Sequence, residues 1–112
     1  MATKKWYKIE VDPRLERDDD LATLIRENTE VLEDLFKDTF VPVTMRWELG
    51  KIDTLGQDQI MLRLSFENDA KERAFSPAEL RSPEERRSDY LSLSQAFLQA
   101  RSKRLLAEMY EE

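Results

Sequence analysis

The chain contains no cysteine and no histidine. Without cysteine there is no disulfide framework, no thiolate nucleophile and no cysteine-ligated zinc or iron–sulfur cluster. Without histidine, Ser-His-Asp triads and imidazole-ligated metals are excluded, as is the usual general base near neutral pH. Any catalysis would fall to carboxylates, lysine, tyrosine or a metal held by oxygen ligands alone. Glycine occurs only 2 times and proline 4 times in 112 residues, so collagen-like, linker-like and proline-rich classes drop out. No apolar run approaches the ~18–20 residues that span a bilayer. Residues 1–7, Met-Ala-Thr-Lys-Lys-Trp-Tyr, lack the apolar stretch of a secretory signal. These absences point to a cytoplasmic protein with no membrane association.

What is present fits a single domain spanning residues 1–112. Charged residues make up 38% and apolar residues 40%, which leaves a modest core. The balance of 18 basic against 24 acidic residues gives a net charge of −6. That makes nucleic acid an unlikely partner, because such binding rests on neutralising phosphates. An anionic membrane surface is disfavoured for the same reason. The charge is uneven. Residues 26–38 carry Arg26 and Lys37 against Glu27, Glu30, Glu33, Asp34 and Asp38; residues 86–104 carry Arg86, Arg87, Arg101, Lys103 and Arg104 against Asp89 alone.

Residues 6–11 read as a short strand with Tyr7, Ile9 and Val11 on one face, ended by Asp12-Pro13. Residues 14–20 read as a solvated loop. A helix then spans 19–39, started by Asp18, Asp19 and Asp20, which suit the positive helix end. Leu21, Leu24, Ile25, Val31, Leu32, Leu35 and Phe36 share one face of it. Asn28 falls inside that stripe, where its amide needs partners.

Residues 41–67 have the alternation of an antiparallel hairpin covered on one side: Val43, Met45, Trp47 and Leu49, then Ile60, Leu62, Leu64 and Phe66. A tight turn near Gly56-Gln57 would pair Leu49 with Leu64 and Trp47 with Phe66, with Gly50 placed for a bulge of positive φ; the alternative is a longer flexible loop. Residues 68–75 read as a polar link. Ser76-Pro77-Ala78-Glu79 and Ser82-Pro83-Glu84-Glu85 each combine an N-cap serine, proline at the first helical position and glutamate at the capping-box position. The first predicts a single turn near Leu80, the second a long helix over 83–110.

The fold class is therefore α+β: a small three-stranded antiparallel sheet in β-α-β-β-α order, with both helices mainly on one face. That order matches a ferredoxin-like unit without its last strand. Its open edge leaves room for a second chain, so a homodimer or a bound partner is expected rather than a monomer.

Function is read from three constellations. Asp58 followed by Asp69-Ala70-Lys71 carries the residue types of a magnesium-dependent phosphoesterase or nuclease, with two carboxylates for the metal and a lysine for the attacking water. Heptad-spaced Leu91, Leu98 and Leu105 widen, with Tyr90, Leu93 and Phe97, into a broad apolar face that should cover the hairpin. The basic cluster Arg86, Arg87, Lys103 and Arg104 either pairs with acidic residues of its own chain, such as those of the first helix, or suits an acidic partner, since clustered arginines bind carboxylates and phosphates. The preferred reading is a non-enzymatic protein-interaction or regulatory module with no cofactor. It would bind an acidic protein partner or a second copy of itself through those four residues. The small metal-dependent phosphoesterase is the alternative.

Overall fold

The structure, a computed structural model, describes residues 6–37, 42–50 and 59–110. The chain runs β1 (Tyr7–Val11), α1 (Pro13–Glu16), α2 (Asp19–Phe36), β2 (Val43–Leu49), β3 (Ile60–Phe66), β4 (Asp69–Phe75) and α3 (Pro77–Leu80). A 3-10 turn, Pro83–Arg86, then leads into α4 (Arg87–Tyr110). The sheet has four strands in the order β1-β2-β3-β4. β1 is parallel to β2, and the other two pairings are antiparallel. This corrects the three-stranded, wholly antiparallel expectation. It also departs from the ferredoxin-like order, in which another strand splits the first two; here they are neighbours.

The strand that sequence reasoning missed is β4. It lacks apolar alternation because its inward positions, Asp69, Lys71, Arg73 and Phe75, are mostly charged. They sit opposite Phe66, Leu64, Leu62 and Ile60. α4 lies over them and answers with charge. Arg73 pairs with Asp89 at 3.2 Å, and Arg104 with Asp69 at 2.8 Å. Only Phe75 of the strand joins the apolar core. The turn into β4 also carries no glycine, and Glu67 takes it at φ 55, in the left-handed region.

The β2–β3 register differs from the tight-turn expectation as well. Met45 faces Leu64, Trp47 faces Leu62 and Leu49 faces Ile60. The shift of four residues, which puts Ile60 rather than Leu64 opposite Leu49, keeps the same side chains inward, because strand faces repeat every two residues. Gly50 extends this regular ladder, its N–H donating to Gln59 O at 2.7 Å, so no bulge of positive φ forms there. The tightness lies elsewhere: a Cβ on Gly50 would stand 3.0 Å from Gln59 O. Gly56 and Ile52 lie outside the described residues.

The core is one cluster against a single sheet face. Val43, Met45, Trp47, Ile60, Leu62, Leu64 and Phe75 of the sheet meet Ile25, Val31, Leu32 and Phe36 of α2 and Tyr90, Leu93 and Phe97 of α4. Leu49, Phe66, Leu24 and Leu35 pack at its margin. Tyr90 stands edge-on to Phe75 at 5.5 Å and to Trp47 at 6.3 Å, the geometry aromatic quadrupoles favour.

The helix starts follow the local chemistry. Asp18 Oδ1 accepts from the N–H of Asp20 and of Leu21, capping α2. Ser76 Oγ accepts from Glu79 N–H at 3.2 Å, while Glu79 Oε1 accepts from Ser76 N–H at 3.0 Å, a complete capping box for α3. Ser82 makes no side-chain cap, and residues 83–86 form the 3-10 turn, so α4 begins at Arg87 rather than at 83. Residues 13–16, expected as loop, form α1; Asp12 caps it by accepting from Arg14 N–H, and Leu15 is fully buried.

Candidate functional site

α4 carries all the residues of the expected basic cluster except Arg86, which ends the 3-10 turn before it. Arg86 reaches Glu79 at 3.2 Å and Asp89 at 3.3 Å. Arg87 holds Asp34 of α2 at 2.8 Å and Glu84 at 3.0 Å. Arg104 makes a forked contact with both oxygens of Asp69 and a further bond to Glu108 at 2.8 Å. Lys103 is exposed and takes part in no ion pair or hydrogen bond among the described residues. A helix rises 1.5 Å per residue, so Arg87 and Arg104 stand about 25 Å apart. The fold therefore does not gather the four residues into one patch. Three of them hold α4 to the rest of the chain.

The electrostatics agree. The hydrogen bonds from Arg104 keep the Asp69 carboxyl below the usual carboxylate range. Lys37 and Arg87 do the same to Asp34, and Arg87 to Glu84. Arg101 lies with its guanidinium 4.9 Å from the centre of the Phe66 ring, a cation–π contact.

The carboxylate–lysine constellation fares similarly. Asp58 lies outside the described residues. Asp69 is buried and committed to Arg104. Among the described residues no group of three or more acidic side chains is placed to hold a metal ion.

The open surface of α4 is polar through Ser92, Gln95, Gln99 and Ser102 and becomes apolar at its distal end. Its inward face buries Tyr90, Leu93 and Phe97. Four apolar residues turn away from that face: Leu91 is 46% exposed, Leu105 41%, Leu106 51% and Met109 72%. Leu98, midway, packs partly against the core. The broad apolar face expected to cover the hairpin is thus only partly used: its first half is buried, and Leu105, Leu106 and Met109 at the distal end are bare. The signal for the bare end was the seven-residue spacing of Leu91, Leu98 and Leu105, which a single core-facing stripe had absorbed.

No protein-family model, curated protein or solved structure matches this chain. The functional reading therefore rests on the geometry alone.

Among the described residues no helix covers the far side of the sheet. The register lines Glu10, Arg46, Arg63 and Glu72 across the four strands in one row. Arg46 pairs with Glu48 at 2.9 Å, and Lys8 with Glu10 at 3.7 Å. This face is polar and largely self-neutralised, as expected of a sheet face that meets water.

Proposed function

We propose that this protein is a non-enzymatic protein-interaction module whose working surface is the distal apolar stripe of α4. The observation that carries the reading is the joint exposure of Leu105, Leu106 and Met109 at the distal end of α4, with Leu91 exposed earlier on the same helix, whose first half buries Tyr90, Leu93 and Phe97. Exposed apolar side chains grouped on one element mark interaction sites more often than scattered ones do. Lys103 flanks the stripe with an uncommitted positive charge. The matching partner is an amphipathic helix with apolar residues on one face and acidic residues beside them, docked as helix against helix. The acidic partner expected of the whole basic cluster is narrowed in this way, because Arg86, Arg87 and Arg104 are engaged by carboxylates of their own chain. The cytoplasmic setting remains part of the proposal, supported by the cysteine-free composition.

The test compares partners captured from native lysate by the wild-type chain and by a Leu105→Ser/Met109→Ser variant. Exposed substitutions change stability by only about 0.5 kcal/mol, so the variant should fold normally. Loss of the wild-type partners from a folded variant supports the reading. Capture of the same partners in the same amounts overturns it.

A further inference from the structure

We infer that two copies of this chain associate through the outer edge of β1, joining their sheets into one eight-stranded sheet about a two-fold axis at Ile9. The inference goes beyond the α4 reading and rests on separate observations. β1 is an edge strand, and among the described residues no other strand pairs with its outer side. The N–H of Asp12 donates to Trp47 O, and Trp6 O accepts from Val43 N–H. Trp6 and Asp12 therefore face β2, and backbone groups alternate along a strand, so those of Ile9 and Val11 point outward.

The sequence of β1 is complementary to itself in the antiparallel sense. With Ile9 on the axis, Ile9 meets Ile9 of the second copy. Lys8 meets Glu10, and Glu10 meets Lys8. Tyr7 meets Val11, an aromatic against a β-branched side chain. Each pairing is of a kind that stabilises adjacent strands. Ile9 also falls on a hydrogen-bonded pair, its N–H and C=O being the outward groups. Lys8 and Glu10 lie on the open face of the sheet and already approach each other within one chain, so exchanging partners requires only side-chain rotation.

The other edge fails the same test. Antiparallel pairing of β4 with itself about Glu72 would set Lys71 against Arg73 and Glu72 against Glu72. Like charges directly opposite oppose pairing, and charged edges are a common guard against it. One edge of this sheet is thus self-attracting and the other self-repelling.

Packing supports the same occupant. Beside β1, on the helix-covered side, lies a groove of about 280 Å³ lined by Ile9, Val11, Ala22, Ile25 and Thr29 together with the charged Glu16 and Arg26. An added antiparallel strand brings its inward side chains to this side of the sheet. Opposite Ile9 and Val11, which line the groove, a second copy of β1 places its own Ile9 and Tyr7. Two-fold symmetry closes both grooves at once, giving an interface that does not propagate.

The absence of native cysteine makes the test direct. Opposed residues of a hydrogen-bonded antiparallel pair stand about 5.5 Å apart at Cα, within disulfide range. Ile9→Cys should form a disulfide-linked dimer under mild oxidation, whereas Val11→Cys, whose opposite residue is Tyr7, should not. As a second arm that leaves the inward face untouched, the dimer dissociation constant is measured by sedimentation for wild type, Lys8→Glu, Glu10→Lys and the double exchange. Each single reversal should weaken the dimer by about tenfold, since each creates two like-charge oppositions, and the double exchange should restore it. A wild-type chain that stays monomeric at millimolar concentration overturns the proposal. So does a dimer that ignores the β1 charges. A dimer lost instead with Leu105→Ser/Met109→Ser would place self-association on α4, overturning the β1 assignment while leaving the α4 surface in use.

Discussion

The two amide protons of Asn28 donate to Leu24 O and Leu80 O, and its oxygen accepts from the Tyr90 hydroxyl. One polar side chain within an apolar stripe thereby joins α2, α3 and α4. Its need for partners was legible from its place in the stripe. The identity of those partners was not, since Leu80 and Tyr90 lie 52 and 62 residues away in the chain. Burial raises the pKa of the Tyr90 hydroxyl, which therefore remains a donor at every ordinary pH. Tyr90→Phe keeps the ring and its contacts with Trp47 and Phe75 but leaves the Asn28 oxygen unpaired in the core. The expected loss is about 1–3 kcal/mol, the desolvation penalty of an unsatisfied buried acceptor. Urea unfolding of the two proteins measures it. A loss near zero would mean that water reaches Asn28.

Elements were legible where one face is apolar and the other polar. α2, β2 and β3 follow from that contrast, and their inward residues form most of the core. β4 was hidden because its inward side meets charges on α4, so its pattern is that of a solvated segment. The β2–β3 register was hidden for a different reason: a shift by an even number of residues, here four, exchanges no side chain between faces, so hydrophobic alternation cannot detect it. The β4–α4 tie gives a prediction with a definite sign. Arg104 depresses the Asp69 pKa in the folded chain. The contribution to stability is therefore present above the unfolded carboxylate value of about 3.9 and is lost as pH falls through the folded value. Asp69→Asn should lower the unfolding midpoint by several degrees at pH 7. The gap from wild type should hold to about pH 5 and close as the carboxylate titrates. A gap unchanged at pH 2–3 would show that the bond to Arg104, rather than its charge, carries the effect.

At the scale of the whole molecule, the charge segregation seen in the sequence is largely consumed within the fold. Arg87 ties α4 to the acidic α2, and Arg104 ties it to β4. What is left over is apolar: the distal part of α4 and the edge of β1. Stability should be distributed accordingly. Met45, Trp47, Leu62 and Leu64 are fully buried in the two central strands, so their amides should exchange hydrogen only through global unfolding. Residues 105–109 are all exposed and extend beyond the Arg104 anchor. A helical end held by its own hydrogen bonds alone is marginal in water. Their amides should exchange faster than those of the central strands by a factor on the order of 10² or more. The two proposed contacts then leave separate marks. Self-pairing should slow exchange at Ile9 and Val11 as protein concentration rises, with no change at 105–109. A docked helical partner should slow 105–109 at fixed concentration and leave β1 alone. Uniform protection along α4 in the dilute chain would mean that its end is already covered, and the open stripe would lose its place as the working surface.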